Sequence, residues 1–581
     1  MYSRVVLMVG LALAAPLLPV ARPATGAPLA AAASSREVAG PPAEFIYRID
    51  LTGGKAVVAA RFPVRENKDF AFLTSSSQGV VSDLTVRDAA GERPVVQTGE
   101  TGIYRVDGLA AGPVEATYTL TLATPCGRAA CRDEGGVSVA GKDMILYPMG
   151  VDPDVESRVR VDFILPPTWS VVTSAGAAGS SLSVPTLSAL SREHLLIGNQ
   201  IAKKLPGGEL LAVQKTGWQV GADDVAGLIG VAVAEQERLL GDRSATGGSI
   251  LIRVTSASAR RSASMVEVAP RVYQLHLDGR SERSAMAHQL VGPLATLFET
   301  RLSHAMAGAA AGSVGWWRVG FPRYTATLAA VRAGTLSQSD FIDRIFAAWR
   351  LVSAGSPLAG KVSLADAGSR SGDDAQEFVA AGGFLTCYLL DVRLRAASDG
   401  RVGLGTLLAD MVGHTVDNGF LQDEVARMTS RDVGNLLRVS VLDSSAPPLP
   451  EEASRAALEL VKAGTGEPFV GFSLEDDEPV IRRVFASGPA RSMGLRAGDR
   501  ITAVDGTLVS SVADVQAGLA GRAPGDAVGI SVRTDDGQIY SAVLKLWERT
   551  ETILRRAESA PPAARQAWSA LTHGDATTFA N

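Results

Sequence analysis

The spacing of apolar residues changes once along this chain, and that change constrains the fold more than any other sequence feature. From about residue 40 to residue 205, apolar residues alternate with polar ones, as in Phe45, Tyr47 and Ile49. Alternation between turn signals is typical of half-buried strands, and many short strands predict a β-sandwich. We therefore expect a β-sandwich domain at 34–205.

After residue 205 the helical period takes over, which predicts an α+β domain with a helical second half at 206–443. Three apolar runs resemble strands, and four later stretches have helical spacing: GLIGVAVA, SILIRV and VYQLHL, then 284–303, 339–352, 376–397 and 404–414. The polar, Pro-rich segment SSAPPLPEE then predicts a linker with a short helix at 444–465. A small compact domain is expected at 466–547, followed by a charged helix and a polar tail at 548–581.

Length and composition agree with several buried cores. The chain has 581 residues, of which 46% are apolar and 20% charged. Its 56 basic and 61 acidic residues give a net charge of −5 without a basic block, which excludes nucleic acid as the main partner. The abundance of Ala, Gly, Val and Arg is typical of a high-GC bacterial source.

The N-terminus is typical of an export signal. Arg4 precedes an apolar run that is too short to span a bilayer, and small residues with A-x-A spacing follow it. We predict a signal peptide at 1–33 and a periplasmic or secreted protein with no stable membrane span. An uncleaved membrane anchor is the alternative.

Export affects the interpretation of the cysteines. Cys126 and Cys131 lie five positions apart in a Gly-rich turn, and an oxidising compartment permits a disulfide between them. Cys387 lies in an apolar run and is predicted to be a buried core residue.

The small domain at 466–547 carries closely spaced turn motifs around short strands. They are Gly488-Pro489-Ala490, Gly494-Leu495, Ala497-Gly498-Asp499 and Val504-Asp505-Gly506. With the preceding FVGF segment, they resemble a PDZ domain over its whole length. The resemblance implies that backbone N–H groups of the FVGF loop hold a peptide carboxylate, while the peptide adds as a strand beside a helix. The implied peptide-binding residues are Phe469, Val470, Gly471, Phe472, Val512 and Val515. The alternative is a PDZ fold that serves only as an intramolecular spacer.

Besides the order of domains, two segments carry a further resemblance: LPPTW at 165–169 and GWWRVGFPRY at 315–324. The domain order and these segments resemble the glycyl aminopeptidase family over about residues 40–547. These are gluzincin zinc peptidases with a C-terminal PDZ domain. The resemblance implies a multidomain α+β protein in which a thermolysin-like domain follows the sandwich. It also implies a catalytic zinc ion with three protein ligands and a glutamate base.

The residues at the matching positions depart from that chemistry. In AHQLVGPL, His288 keeps the first ligand, whereas Gln289 replaces the base and Gly292 replaces the second ligand. Val319 stands where the glutamate ligand is expected, and Pro293 is expected to kink the helix. The sequence thus predicts a degenerate zinc site with no catalytic residue, no metal ligand set and no cofactor.

Two alternatives for a metal site remain. His276, His288 and His304 could rebuild a zinc site, and the acidic run 475–478 could bind calcium instead of forming a solvated hairpin tip.

Three hypotheses for function follow from these motifs. The first is a catalytically inactive, exported homologue that binds peptides or protein C-termini through the PDZ groove. The second is an active zinc metallo-aminopeptidase with non-standard ligands. The third is a purely structural subunit that docks through its sandwich face.

Overall fold

The structure is a computed structural model of the 581-residue chain. It describes residues 43–64, 68–73, 81–97, 103–123, 130–133, 135–148, 151–174, 176–205, 208–240, 250–256, 263–305, 314–411, 414–429, 431–534 and 536–573. The predicted signal peptide lies outside the described residues.

Strands and two short helices make up the N-terminal region. In chain order they are β1 (Glu44–Asp50), β2 (Ala56–Val64), β3 (Lys68–Leu73), β4 (Val81–Asp88), β5 (Gly91–Arg93), β6 (Val95–Gln97), β7 (Ile103–Leu109), β8 (Gly112–Leu120), β9 (Cys131–Asp133), β10 (Gly136–Ala140), α1 (Gly141–Met144), β11 (Tyr147–Pro148), β12 (Arg158–Ile164), β13 (Ser170–Thr173), β14 (Gly176–Ala178), β15 (Ser181–Val184), α2 (Leu187–Arg192) and β16 (His194–Gly198).

Alternating burial confirms the predicted strands. Every second residue of β2 from Ala56 to Val64 is buried, and the residues between them are exposed. In β1 the same alternation buries Phe45, Tyr47 and Ile49. Because successive side chains of a strand point to opposite faces, this pattern places one face of each strand in the core and the other in solvent.

Three sheets surround one apolar core. Their strand orders are β15-β12-β1-β2-β8-β4-β5, β14-β13-β16-β10-β9 and β11-β3-β7-β6. Phe45, Val106 and Ile197, one from each sheet, belong to the same core cluster. The N-terminal region is thus a β-sandwich, as predicted.

The middle region combines a sheet with helices. In chain order the elements are β17 (Gln200–Lys204), β18 (Leu210–Gln214), α3 (Ala222–Leu240), β19 (Leu251–Ser256), β20 (Ser264–Ala269), β21 (Val272–Leu277), α4 (Arg283–Ala305), α5 (Gly315–Arg332), α6 (Gln338–Arg350), α7 (Leu364–Ala367), α8 (Asp373–Ala397), α9 (Leu404–Met411), α10 (Asn418–Met428) and α11 (Arg431–Leu437). π-Helical turns at Leu351–Gly355 and Arg438–Leu442 follow α6 and α11. In the described part of the chain, no helix combines the length and apolarity needed to cross a bilayer.

The central strands β18 and β19 of the middle sheet are buried on both faces. Its order is β17-β18-β19-β21-β20, with β18, β19 and β21 parallel. Leu211 and Ile252 face the helices, whereas their neighbours Leu210 and Leu251 pack against Val172 and other apolar residues of the sandwich. Continuous apolar strands are expected where a sheet is covered on both sides.

A buried ion pair also joins the sandwich to this sheet. The guanidinium of Arg253 lies 2.5 Å from a carboxylate oxygen of Asp133, and Arg253 is 2% exposed. Gln274 donates to the other oxygen of Asp133 at 3.4 Å. The sandwich therefore meets the middle sheet through both apolar and ionic contacts.

One predicted strand is wrong. The run GLIGVAVA lies inside α3, a helix of 19 residues. The period of a short apolar run does not distinguish a buried strand from a buried helix. Asp223 and Asp224 in the first turn and Arg238 in the last turn favour the helix through its dipole.

The C-terminal region contains the small domain and its connections. In chain order the elements are α12 (Leu449–Glu452), β22 (Leu458–Phe469), β23 (Phe472–Leu474), β24 (Ile481–Val484), α13 (Pro489–Ser492), β25 (Arg500–Val504), β26 (Thr507–Leu508), α14 (Val512–Leu519), β27 (Ala527–Arg533), β28 (Ile539–Lys545), β29 (Trp547–Arg556) and α15 (Pro562–His573). A 3₁₀ turn at Ala453–Ala456 precedes β22.

The chain enters and leaves the small domain through a two-stranded ribbon. β22 pairs antiparallel with β29, from Leu458 opposite Arg556 to Phe469 opposite Trp547. This corrects two expectations, because part of the predicted linker at 444–465 is a strand, and the segment from Glu548 starts as a strand and not as a helix. Most of β29 is exposed, so a ribbon that extends into solvent can carry charges on both faces and lacks the alternation that predicts a strand.

The last helix returns to the middle domain. Trp568 of α15 is buried, donates its indole N–H to Gln338 at 2.8 Å and lies under the guanidinium of Arg556. Arg332 of α5 donates to the carbonyl of Leu571 at 2.8 Å. The small domain is therefore an insertion between β22 and β29, and α15 completes the helical core.

A buried histidine of the sandwich, His194, has a lowered pKa. His194 is 8% exposed, and its Nε2 lies 2.8 Å from the hydroxyl of Ser138. Burial, assisted by the positive charge of Arg253, lowers the pKa of His194 from 6.5 to about 4. The folded protein therefore holds a neutral imidazole where the unfolded chain binds a proton below pH 6.5.

This difference predicts an acid-sensitive sandwich. Because the unfolded state binds the extra proton, the free energy of unfolding falls as the pH drops from 6.5 to 4, by about 3 kcal/mol in total. Urea unfolding of wild type and His194→Gln at pH 7 and at pH 4.5 measures this effect. The stability advantage of the wild type should shrink by about 2–3 kcal/mol at the lower pH; an unchanged advantage would contradict the assignment.

Candidate functional site

His288, the expected first zinc ligand, is held by two side chains of α6. Its Nε2 lies 3.2 Å from a carboxylate oxygen of Asp340, and its Nδ1 lies 3.1 Å from the guanidinium of Arg344. Because arginine only donates hydrogen bonds, Nδ1 accepts and the Nε2–H group donates to Asp340. Both ring nitrogens are thus occupied, and a positive charge lies beside the ring.

The carboxylate of Asp340 also has a structural task. It is part of the capping box with Ser337 at the start of α6. The hydroxyl of Ser337 donates to this carboxylate and lowers its pKa. Asp340 therefore fixes the start of α6 and the orientation of His288 together.

Gln289 stabilises the loop before α4. Its side-chain oxygen accepts a hydrogen bond from the backbone N–H of Asp278 at 3.0 Å, and its amide nitrogen donates to the hydroxyl of Ser281 at 2.7 Å. An amide cannot act as a general base, and this one holds the β21–α4 connection. α4 continues through Pro293, so this proline does not end the helix.

The other two expected ligand positions offer no donor atom. A Cβ added to Gly292 would meet nothing within 4 Å, so this part of α4 borders open space. Val319 on α5 is half-buried and packs against the apolar core of the middle domain. Its neighbour Gly320 lies against Gly383 of α8 so closely that a Cβ there would come within 2.2 Å of backbone. The residues present here do not fit a zinc ion.

The remaining histidines with described side chains have separate partners. His276 hydrogen-bonds to Thr255 at 2.7 Å, and His414 stacks on Phe420. The side chain of His304 lies outside the described part of the chain. Among the described residues, no group of three His, Cys, Asp or Glu side chains could hold a metal ion.

The second candidate site is the loop Phe469–Phe472 of the small domain. Gly471 has φ +84°, and a Cβ there would come within 2.9 Å of the backbone nitrogen of Ala490 and 3.0 Å of the carbonyl carbon of Gly488. The carbonyl of Gly471 accepts a hydrogen bond from Phe485 N–H at 2.9 Å, and that of Val470 accepts one from Ala490 N–H at 3.2 Å. Only glycine fits this conformation at this close approach.

Strand β23 follows this loop and has an open edge. It pairs with β24, and no other strand of the described chain pairs with it. Val512, which opens α14, is half-buried. Val515 is 0% exposed and belongs to the core of the small domain, so the prediction that it contacts a peptide is wrong. Val512 and Val515 are three residues apart and lie on the same side of α14, where the core of the small domain covers Val515.

The other motifs of the small domain shape its turns. The carboxylate of Asp499 accepts from Arg496 N–H at 2.8 Å, and that of Asp505 accepts from Gly529 N–H at 2.6 Å. In the acidic run 475–478, Glu475 and Asp476 pair with Arg482 on the neighbouring strand. These contacts are those of a solvated hairpin.

Of the cysteines, Cys131 is buried and disulfide-bonded, and Cys387 is buried and free. Cys126 lies outside the described residues, so its pairing with Cys131 stays a prediction.

A comparison with known protein families identifies the fold of the small domain. A family model described as PDZ domain matches residues 469–543. No curated protein matches the chain. The small domain is thus a PDZ domain.

Two solved structures are similar to a larger part of the chain. The first is an aminopeptidase N family protein from Idiomarina loihiensis, with 15% identity, a TM-score of 0.48, and coverage of 90% of this chain and 99% of that one. The second is a mutant M1 zinc metallopeptidase from Deinococcus radiodurans, with 16% identity, a TM-score of 0.32, and coverage of 70% and 96%.

The geometry of Gly471 predicts a position-specific cost of substitution. Gly471→Ala introduces both a strained φ and a clash with backbone, whereas Gly494→Ala, also at φ +84°, meets nothing within 4 Å. Strain alone costs about 1–2 kcal/mol, and the clash adds to it. Hydrogen exchange of β27 in the full chain measures the local opening free energy. Gly471→Ala should lower it more than the control; equal losses would contradict the close approach.

Proposed function

We propose that this chain is an exported, catalytically inactive homologue of PDZ-containing glycyl aminopeptidases that binds peptides or protein C-termini through its PDZ domain. One observation carries the proposal: a hydrogen-bonded loop centred on Gly471 leads directly into a strand with an unpaired edge. Backbone at such an edge binds an extended peptide irrespective of most of its side chains.

The binding mode follows from the placement of the loop. Backbone N–H groups of Val470, Gly471 and Phe472 would donate to the terminal carboxylate, because glycine lets an anion approach the backbone. The peptide would then extend along β23 with an apolar side chain between this strand and Val512. Phe469 begins the loop, and the centre of its ring lies 5.5 Å from that of Phe485, which directly follows β24.

The middle domain supports the inactive assignment. Zinc hydrolysis needs three ligands and a base positioned for the bound water. Here His288 is tied to Asp340 and Arg344, Gln289 holds a loop, and positions 292 and 319 carry no donor atom. We therefore assign the domain a structural or substrate-facing role without metal chemistry.

Export is part of the proposal. The charged and apolar pattern of residues 1–33 supports export, and an oxidising compartment would permit the disulfide of Cys131. The site of action would be the periplasm or the extracellular space.

Peptide binding is predicted to depend on a free C-terminus. The full chain should bind a ten-residue peptide that ends in valine, and amidation of that peptide should weaken binding about ten-fold or more, because charge-assisted hydrogen bonds to the carboxylate are lost. Fluorescence anisotropy with labelled peptides measures both affinities.

A pair of matched variants locates the site. Val512→Asp places a charge beside the groove and should abolish binding, whereas Met493→Asp, at a residue 41% exposed outside the groove, should not. Flat titrations across a broad library of C-terminal peptides would contradict the proposal.

A second prediction concerns the vestigial base. Gln289→Glu preserves the loop, because a carboxylate can accept from both Asp278 N–H and the Ser281 hydroxyl. It should not create aminopeptidase activity on N-terminal glycine or alanine substrates, since two ligands are still absent. Metal analysis of purified wild type is the control. Stoichiometric zinc with chelator-sensitive activity would instead establish the alternative, a metallo-aminopeptidase with non-standard ligands.

A further inference from the structure

Strands β23 and β24 present two different faces. Phe472 is buried and Leu474 is half-buried, and both pack in the core of the PDZ domain. Ser473 lies between them, so its side chain points to the opposite, outer face. Its cross-strand partner on β24 is Arg483, which therefore shares the outer face.

Arg483 differs from its neighbour Arg482 in its charge environment. Arg482 pairs with Glu475 and Asp476 of the hairpin tip. Among the described residues, no carboxylate forms an ion pair with Arg483, which is exposed. Its guanidinium instead lies 5.3 Å from the centre of the Phe485 ring.

Phe485 places this charge near the loop Phe469–Phe472. Its N–H donates to the carbonyl of Gly471, so Phe485 lies across from the loop. Its ring also packs 5.5 Å from the ring of Phe469. The guanidinium of Arg483 thus packs on the ring of Phe485, beside the start of β23.

The proposed binding mode, on which this inference rests, fixes the register of a bound peptide. A terminal carboxylate held at Gly471 makes the peptide antiparallel to β23, with its last residue across from Phe472 and its penultimate residue across from Ser473. Because side chains alternate along a strand, the penultimate side chain shares the outer face with Arg483. The peptide and β24 are two strand spacings apart, about 9.6 Å. The short side chain of Ser473 lies between them and leaves room for an arginine and a glutamate to meet.

We propose that Arg483 is a specificity-determining residue, which selects peptides with Asp or Glu at the penultimate position. The ligand class is therefore a polypeptide with an apolar last residue and an acidic residue before it. An exposed ion pair of this kind contributes about two- to five-fold in affinity and is screened by salt.

Three peptides test this selectivity. Ten-residue peptides that end in valine and differ only in a penultimate Glu, Gln or Lys are titrated against the full chain at low and high salt. At low salt the Glu peptide should bind about two- to five-fold more tightly than the Gln peptide, and the Lys peptide should bind most weakly. At about 1 M salt the three affinities should converge.

Charge reversal then assigns the preference to one residue. Arg483→Glu should favour the Lys peptide, and Arg483→Gln should remove the preference without reversing it. Arg533→Glu, which makes the same charge change on β27 at another exposed position, should retain the wild-type order. Binding of all three peptides with equal affinity, or an unchanged order in Arg483→Glu, would overturn the inference and leave the proposed function standing. Binding of none of them would overturn the proposed function itself.

Discussion

The pairing of β22 with β29 is the constraint on which the arrangement of the C-terminal half depends. It brings together two segments that lie before and after the PDZ domain, and it places the loop Phe469–Phe472 directly at the end of β22. The same ribbon returns the chain to the middle domain, where α15 packs. Near the PDZ domain the ladder is interrupted between Gly464 and Pro468. There the Glu548 carboxylate accepts from Gly466 N–H at 3.0 Å, so even the irregular part of the ribbon is tied across the two strands.

The two candidate sites differ in what they require of the sequence. A zinc peptidase site depends on a few side chains, each with a specific donor atom, so single substitutions remove it. A strand-addition site depends on backbone groups, which every residue carries, and on a glycine that permits close approach. Gln289 and Gly292 occupy the positions where the family resemblance predicts a base and a ligand, and neither side chain can take that role. Gly471 has the left-handed φ and the close backbone approach on which the proposed peptide binding depends.

The sequence predicts the architecture well and the details of the sites less well. Alternation in β1 and β2 identifies the sandwich, and the motifs around Gly471 identify the PDZ domain. The strand predicted for the run GLIGVAVA in α3 is wrong, because a short apolar run is compatible with the period of a strand and with that of a helix. The sequence does not predict β29, because an exposed strand lacks the alternation of apolar and polar residues and because its partner β22 is distant in sequence. Val515 is misplaced because spacing identifies one face of a helix without showing whether that face meets the core or the ligand.

The charge environment of Arg483 could not be predicted from the sequence for a related reason. The segment VIRRVF holds two adjacent arginines, and only the tertiary structure shows that Arg482 has acidic partners while Arg483 lies over an aromatic ring. In the middle domain, too, the partners of His288 come from α6 and are about fifty residues away in sequence. Which groups lie beside a charged side chain is information that periodicity does not contain.

The insertion of the PDZ domain has a consequence for the order of folding. Since α15 supplies Trp568 to the helical core, that core stays incomplete until the segment that follows the PDZ domain has docked. The PDZ domain, whose apolar core is its own, can close earlier. Until α15 docks, the apolar surface next to Gln338 that Trp568 covers is exposed.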